Sequence, residues 1–433
     1  MPTPHTAYKD TYKLPAAHYA VFEAGRGLPT PVRYWQKPHG EELRGDADEL
    51  AEELRRLLGA AVKRRLMSDV PLGAFLSGGI DSSAIVALMA TQSTRAVKTF
   101  SIGFPHADDS EVKFARLVAE RYHTDHHEEI VAPEMTSVVA ETVRHHGEPF
   151  ADSSAVAMYY LSQMTKKYVT VALSGDAGDE NFAGYKRYTT ARFGHLHDAL
   201  PARARPFYQA GLGLIGRVFV PHVGRYADRL DHGEAARYMR LVGQFAEEDK
   251  RVFYLDKMRE AASSDTVDRF ARLLAESGAS SPMGRIADLD WQTYMIDDIN
   301  VKVDIAAMTH SLEVRCPFLD TKVVEFAAKL PSRMLMRVRG KWLLRRAVKD
   351  LVPRAILHRG KRGFALPLER WMRRDLRQMT EDVLLDKRAR ERGLFDPKYV
   401  ADLVGSLDRM NPPVDRIWTL LILELWFREF VDA

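Results

Sequence analysis

The chain has 433 residues, 46% apolar and 28% charged, the make-up of a globular protein with room for two domains. A net charge of +4 is too slight for this length to argue for a nucleic-acid or membrane partner. No apolar run reaches a membrane span and MPTPHTAYKD at the start has no signal-peptide pattern, so a cytoplasmic location is the default expectation. The single cysteine, Cys316, excludes internal disulfides and any cysteine-built metal cluster.

Residues 1–45 hold two short β-like runs, KLPAAHYAVF and PVRYW, around a Gly/Pro turn cluster, and predict a hairpin too small to be a domain. From 47 to 66, Leu50, Leu54, Leu57, Leu58, Ala61 and Val62 recur at helical spacing. Strands and helices then alternate: strand 71–76, helix 80–91, strand 97–104, helix 110–121, strand 126–131, helical segments to about 167, and strand 168–173. Such alternation predicts right-handed crossovers and a parallel sheet. Beyond about 190 strand signals give way to helical periodicity. The expected fold is an α/β parallel-sheet core over 46–190 with a mostly helical portion over 191–433.

The most informative turn is in FLSGGIDSSAIVAL, residues 75–88. Apolar residues run to the end of a strand, Ser-Gly-Gly follows, and a helix begins. In open α/β sheets ligands bind at that edge, and free amides at a helix start attract anions. Ser77, Ser82 and Ser83 add hydroxyls, while Asp81 would repel a bare phosphate and so suggests a bridging Mg²⁺. On these residues alone, a Gly-rich turn whose Asp and Ser cap the helix explains the pattern as well.

The segment is neither a Walker loop nor a dinucleotide fingerprint. It resembles S-G-G-x-D-S-S, the pyrophosphate loop of the N-type ATP pyrophosphatases, and SDVPLGAFLSGGIDSSAIVALMA looks like their asparagine synthetase branch. VTVALSGDAGDENFAGYKRY (169–188) resembles that family's second strand-and-acidic-turn motif. MIDDINVKVDIAAMTHSLEVRCPFLDTKVVEFAAKLP (295–331) resembles a third, and RVRGKWLLRRAVKDLVP (337–353) contains its lysine. The resemblance covers roughly 47–430.

The resemblance implies the ATP pyrophosphatase fold and two substrates, ATP and a small-molecule acid. The carboxylate, aspartate by preference, is activated as an acyl-adenylate and then amidated by ammonia. ATP and pyrophosphate contacts fall on Leu76, Ser77, Gly78, Gly79, Asp81, Ser82, Ser83, Ile102, Ser174 and Gly175, and Mg²⁺ on Asp81 and Asp179. Lys341 takes the place of the lysine that neutralises pyrophosphate, and Asp176 faces the acyl or ammonia side. Asp304 and Arg315 are candidates for holding the acid substrate. They belong to a charged set with Lys302, Glu313 and Asp320 that a structural ion-pair network explains equally well.

Departures from the family pattern are Ala177, where Gly is usual, and Asn181, where an apolar residue is usual. The family's glutaminase domain starts at a catalytic cysteine, whereas this sequence begins Met1-Pro2. The expectation is therefore that this chain does not hydrolyse glutamine. Residues 1–45 then resemble the junction between glutaminase and synthetase, with the glutaminase either missing from this stretch of chain or supplied by another. A homodimer is compatible with the resemblance.

Two other clusters read differently. The basic residues of 337–349 lack interleaved aromatics, and Leu343, Leu344, Ala347 and Val348 form an inward face, so a mostly solvated basic helix face is expected. In HTDHHEE (123–129), strand alternation splits the histidines between two faces, which argues against a metal site.

Overall fold

The computed structural model describes residues 1–105, 111–218, 226–262, 266–337, 339–360 and 366–432. Near the N-terminus, β1 (His18–Tyr19) and β2 (Val32–Arg33) form the expected antiparallel hairpin. The main sheet has five parallel strands: β3 (Leu72–Phe75), β4 (Lys98–Gly103), β5 (Asp125–Ile130), β6 (Val171–Leu173) and β7 (Glu313–Arg315). Their spatial order is β5-β4-β3-β6-β7. The chain builds outward from β3 on one side through β4 and β5, then returns to its other side with β6. That reversal opens a crevice at the carboxyl ends of β3 and β6.

Alternate residues of each strand face opposite layers, which accounts for two cores. Ala74, Leu76 and Leu173 point to one, shared with α1 (Ala47–Arg65), α2 (Ile80–Ala90) and α3 (Val112–Tyr122). Phe75, Phe100, Ile102 and Ala172 point to the other, shared with α4 (Met135–His146), α5 (Ser154–Lys166) and the C-terminal helix Val414–Phe430. The apolar face Leu343, Leu344, Ala347 and Val348 is buried as its spacing predicts. α1 starts on a capping box, in which the Asp46 side chain accepts from the Glu49 amide and the Glu49 side chain accepts from that of Asp46.

β7 is a difference from the sequence reading, which expected no strand beyond 190. It is three residues long, Glu-Val-Arg, and its hydrogen bonds to β6 decide its conformation where its composition does not. In the exposed edge strand β5, His126 meets the Thr99 hydroxyl at 2.9 Å, while His127 stacks on Tyr168 with ring centroids 3.8 Å apart.

The charged set of 302–320 is dispersed. Arg315 is a clamp: its guanidinium donates to Glu313 at 2.6 Å and to the carbonyls of Arg65 and Met67 at 3.0 and 2.7 Å, tying β7 to the end of α1. Asp320 caps the helix Thr321–Ala328 through the Lys322 amide and receives Arg64 and Arg65 at 2.6 and 2.9 Å. Burial opposes its charge, but the two arginine hydrogen bonds outweigh burial and hold its carboxyl below the ordinary carboxylate range. A depressed folded-state pKa stabilises the protein above the unfolded value, about pH 4, and the benefit is lost as pH falls through the folded value. Asp320→Asn should therefore cost about 2 kcal/mol at pH 7, and urea midpoints should show that deficit shrinking below about pH 4.

Candidate active site

The crevice above β3 and β6 is a cavity of about 1180 Å³ lined from both halves of the chain. After β3 the chain turns through Ser77-Gly78-Gly79 into α2. No side chain caps α2, and Gly79 is its N-cap, so the capped-turn explanation is not what the structure contains. Instead, the Ser77 hydroxyl accepts from the Gly79 amide at 3.3 Å and lies 3.1 Å from the Ser82 hydroxyl, which donates to the Gly79 carbonyl at 3.2 Å. Leu76, Ser77, Gly79, Asp81 and Ser82 line the cavity, with Ile102 and Ser101 from the end of β4 beside them.

The second turn follows β6. Ser174 donates to the Asp176 carboxylate at 2.8 Å and lies 3.1 Å from the Cys316 sulfur. Burial, followed by the Asp176 charge, pushes that thiol up to about 12, so it stays neutral. Ala177 adopts φ +69°, a left-handed conformation that costs an L residue about 1 kcal/mol and explains why glycine suits the position. The turn continues as α6 (Gly178–Asn181), which buries Asp179 and Glu180. Asn181, polar where an apolar residue was expected, donates to the Phe318 carbonyl at 2.8 Å and anchors the turn to the segment after β7. Burial, and then the adjacent Asp179 carboxylate, push the Glu180 carboxyl up to about 7, and the Tyr185 hydroxyl donates to it at 2.7 Å.

The two turns meet at Lys341. Its ammonium lies 2.5 Å from Asp81 and 2.6 Å from Asp179, with the side chain 3% exposed. The lysine is itself left-handed, φ +60°, and its amide donates to the Phe182 carbonyl at 2.7 Å. The turns also touch directly: a Cβ on Gly178 would lie 2.5 Å from an Asp81 carboxylate oxygen.

The sequence reading missed other groups around this point. Arg345 and Arg359 line the cavity. Arg359 donates to Glu111 at 3.0 Å and to the Gly78 carbonyl at 3.3 Å, and lies over the Phe114 ring. The expectation of a solvated basic face holds for Arg346, which pairs with Asp48 at 2.5 Å, but not for Arg345. Within the basic stretch, Val338 and 361–365 lie outside the described residues.

A second charged group lies on another wall of the cavity. Lys302, just after a π-helical turn at Met295–Asn300, donates to Asp152 at 2.7 Å, and Ser154 donates to the other Asp152 oxygen through its amide and hydroxyl at 2.9 and 2.8 Å. Burial opposes the Lys302 charge, but Asp152 and Asp298 raise its pKa above the ordinary value. Burial, then Asp152, push Asp298 up to about 7, and Asp415 is raised mainly by burial. Asp152 stands in a loop before α5, where no periodicity marks it.

Four expected residues are not brought to the cavity. Asp304 is exposed, because two residues beyond Lys302 is more than half a helical turn away. Arg315 is spent on its clamp. Ser83, within α2, is fully buried. Gly78, at φ +68°, turns onto α3, where a Cβ would lie 2.5 Å from that of Phe114. Ser174, Gly175, Asp176, Asp179 and Lys341 all line the cavity.

A sequence model of the asparagine synthase family matches residues 53–428, a span that contains both turns, Lys302 and Lys341. The chain belongs to the asparagine synthase family. It is 31% identical over 447 positions to a putative asparagine synthetase (glutamine-hydrolyzing) of Mycobacterium tuberculosis (strain ATCC 25618 / H37Rv), covering 100% of this chain and 66% of that protein. Against asparagine synthetase (glutamine-hydrolyzing) 1 of Bacillus subtilis (strain 168) it is 30% identical over 403 positions, covering 90% and 61%. Amidase chyE of Penicillium rubens is more distant, at 24% over 460 positions, covering 97% and 68%. The chain thus spans about two-thirds of the length of these asparagine synthase relatives.

Because Gly178 lets α6 approach Asp81, Gly178→Ala should displace that carboxylate. The overpacking should cost about 1–3 kcal/mol, read as a lower urea midpoint with far-UV circular dichroism unchanged.

Proposed function

We propose that the protein is an ATP-dependent amide-forming ligase. The observation that carries this reading is the meeting of Asp81 and Asp179 on the Lys341 ammonium at the switch point of the sheet. Those two carboxylates share one cation already, which is the donor set that suits Mg²⁺ completed by phosphate oxygens. When bound, Mg²⁺ would supply charge neutralisation across the phosphates.

The remaining work belongs to this chain. The Gly79 amide, the Ser77 and Ser82 hydroxyls and Lys341 would hold the pyrophosphate, with Leu76 and Ile102 against the adenine and Ser174 and Gly175 against the adenylate. The acid's carboxylate oxygen would attack the α-phosphorus, the bond to the bridging oxygen would break, and pyrophosphate would leave. Ammonia would then attack the acyl carbon, giving amide, AMP and a proton. Lys302 and Asp152 replace Asp304 and Arg315 as the pair that would orient the acid, since they line the cavity. Asp176 would face the incoming acyl group.

Aspartate is the acceptor we propose first, with ammonia supplied by a glutaminase domain or subunit. The printed names of the relatives, glutamine-hydrolyzing, support that source. We further propose that 1–45 is the junction to such a domain, 46–190 the nucleotide-binding core and 191–433 the portion that completes the acid pocket. A second reading keeps the same ATP chemistry with another carboxylate acceptor, as in surface-polymer or peptide biosynthesis or ring closure.

Phosphorus NMR of a reaction with ATP, Mg²⁺, ammonium and aspartate should show AMP and pyrophosphate. ADP and phosphate would overturn the ligase reading, and turnover only with larger acids would select the second acceptor. Lys302→Met should raise KM for the acid about tenfold or more while nucleotide affinity, read by calorimetry, stays unchanged.

A further inference from the structure

Lys341 stands between the two carboxylates that the functional reading gives to Mg²⁺, and the structure explains why it is there. Its ammonium bridges Asp81 and Asp179 at 2.5 and 2.6 Å with almost no solvent contact. The lysine is not a long side chain that has wandered into place. Its amide is bonded to Phe182, one residue past α6, and a Cβ on the preceding Gly340 would lie 1.9 Å from the Ala183 carbonyl oxygen. A Cβ on Gly184 would strike both the Asp179 carboxylate and the Lys341 Cε, at 1.8 and 2.3 Å. The turn that carries one carboxylate therefore also seats the lysine.

We propose that Lys341 is the resident cation of this site in the nucleotide-free protein, so that divalent metal enters together with polyphosphate and not ahead of it. The proposal rests on the functional reading above. The ammonium already offsets charge on both carboxylates. A divalent ion arriving alone must either sit against the ammonium or expel it from the two carboxylates that balance its charge. Polyphosphate changes both terms, since it offers the ammonium new anionic partners and offers the metal the oxygens that two carboxylates do not supply. Among the described residues no group of three or more His, Cys, Asp or Glu side chains is placed to hold an ion without that help. The coupling is reciprocal: whatever factor nucleotide adds to metal affinity, metal adds to nucleotide affinity. Lys341 thus has two partners in succession, the carboxylates before nucleotide binds and the phosphate afterwards.

Mn²⁺ titrations followed by electron paramagnetic resonance, with no nucleotide present, compare the wild-type protein with Lys341→Met and Lys341→Gln. Mn²⁺ alone should bind either variant at least about tenfold more tightly than wild type, and Asp179→Asn in the same background should remove the gain. Equal Mn²⁺ affinity in wild type and variants overturns the proposal. Wild type alone gives a second reading: Mg²⁺ without nucleotide should leave its melting temperature unmoved, whereas Mg²⁺ with α,β-methylene-ATP should raise it. A full rise with Mg²⁺ alone would equally overturn the proposal. No binding of α,β-methylene-ATP by calorimetry, with or without Mg²⁺, would instead take down the ATP-ligase reading on which it rests.

Discussion

The ammonium of Lys341 between the Asp81 and Asp179 carboxylates is the contact on which the site depends, because it joins three distant parts of the chain. Asp81 comes from the helix after the central strand, Asp179 from the turn after its neighbour, and Lys341 from the start of a helix far along the sequence. Either carboxylate without the ammonium would be a buried charge facing another of its own sign, which protein interiors tolerate poorly. The glycines at 178 and 184 then read as a consequence. They remove the side-chain bulk that would keep these charges apart.

The parallel sheet sets the stage for that contact. Starting in the middle and building to both sides leaves the carboxyl ends of β3 and β6 as neighbours with their following turns on the same edge. The remainder of the chain is arranged around the same edge. The helix Trp342–Ala347 buries its apolar face in one core, which brings Lys341 in at its N-terminal end. The C-terminal helix buries itself in the other core and delivers Asp415 to the opposite wall. Packing on the two faces of one sheet thereby places the Asp81–Asp179–Lys341 cluster and the Asp152–Lys302 pair in a single cavity.

Much of this was legible in the sequence where chemistry and local pattern coincide. Ser-Gly-Gly between an apolar strand and an apolar helix marks the turn at the sheet edge, three acids in a five-residue turn call for a cation or donors nearby, and Lys341 after a glycine at a helix start stands out from its basic neighbours. The sequence is silent where placement depends on which face of a helix a residue takes. Asp304 and Lys302 are two positions apart, and only the packing of the helix Val301–Met308 decides that the lysine faces inward. Asp152 and Arg359 were missed because each stands outside a periodic element, and β7 because three residues bearing two charges carry no strand signal of their own.

Cys316 has a consequence of a practical kind. Its thiol is the only one in the chain, lies within 3.1 Å of Ser174, and is held neutral by burial. Alkylating reagents attack thiolates, so a sulfur held as the neutral thiol reacts slowly even though the residue is partly exposed. The lone cysteine is thereby a chemical probe of the charge on the second turn, since whatever neutralises Asp176 lowers the thiol's pKa and speeds its modification.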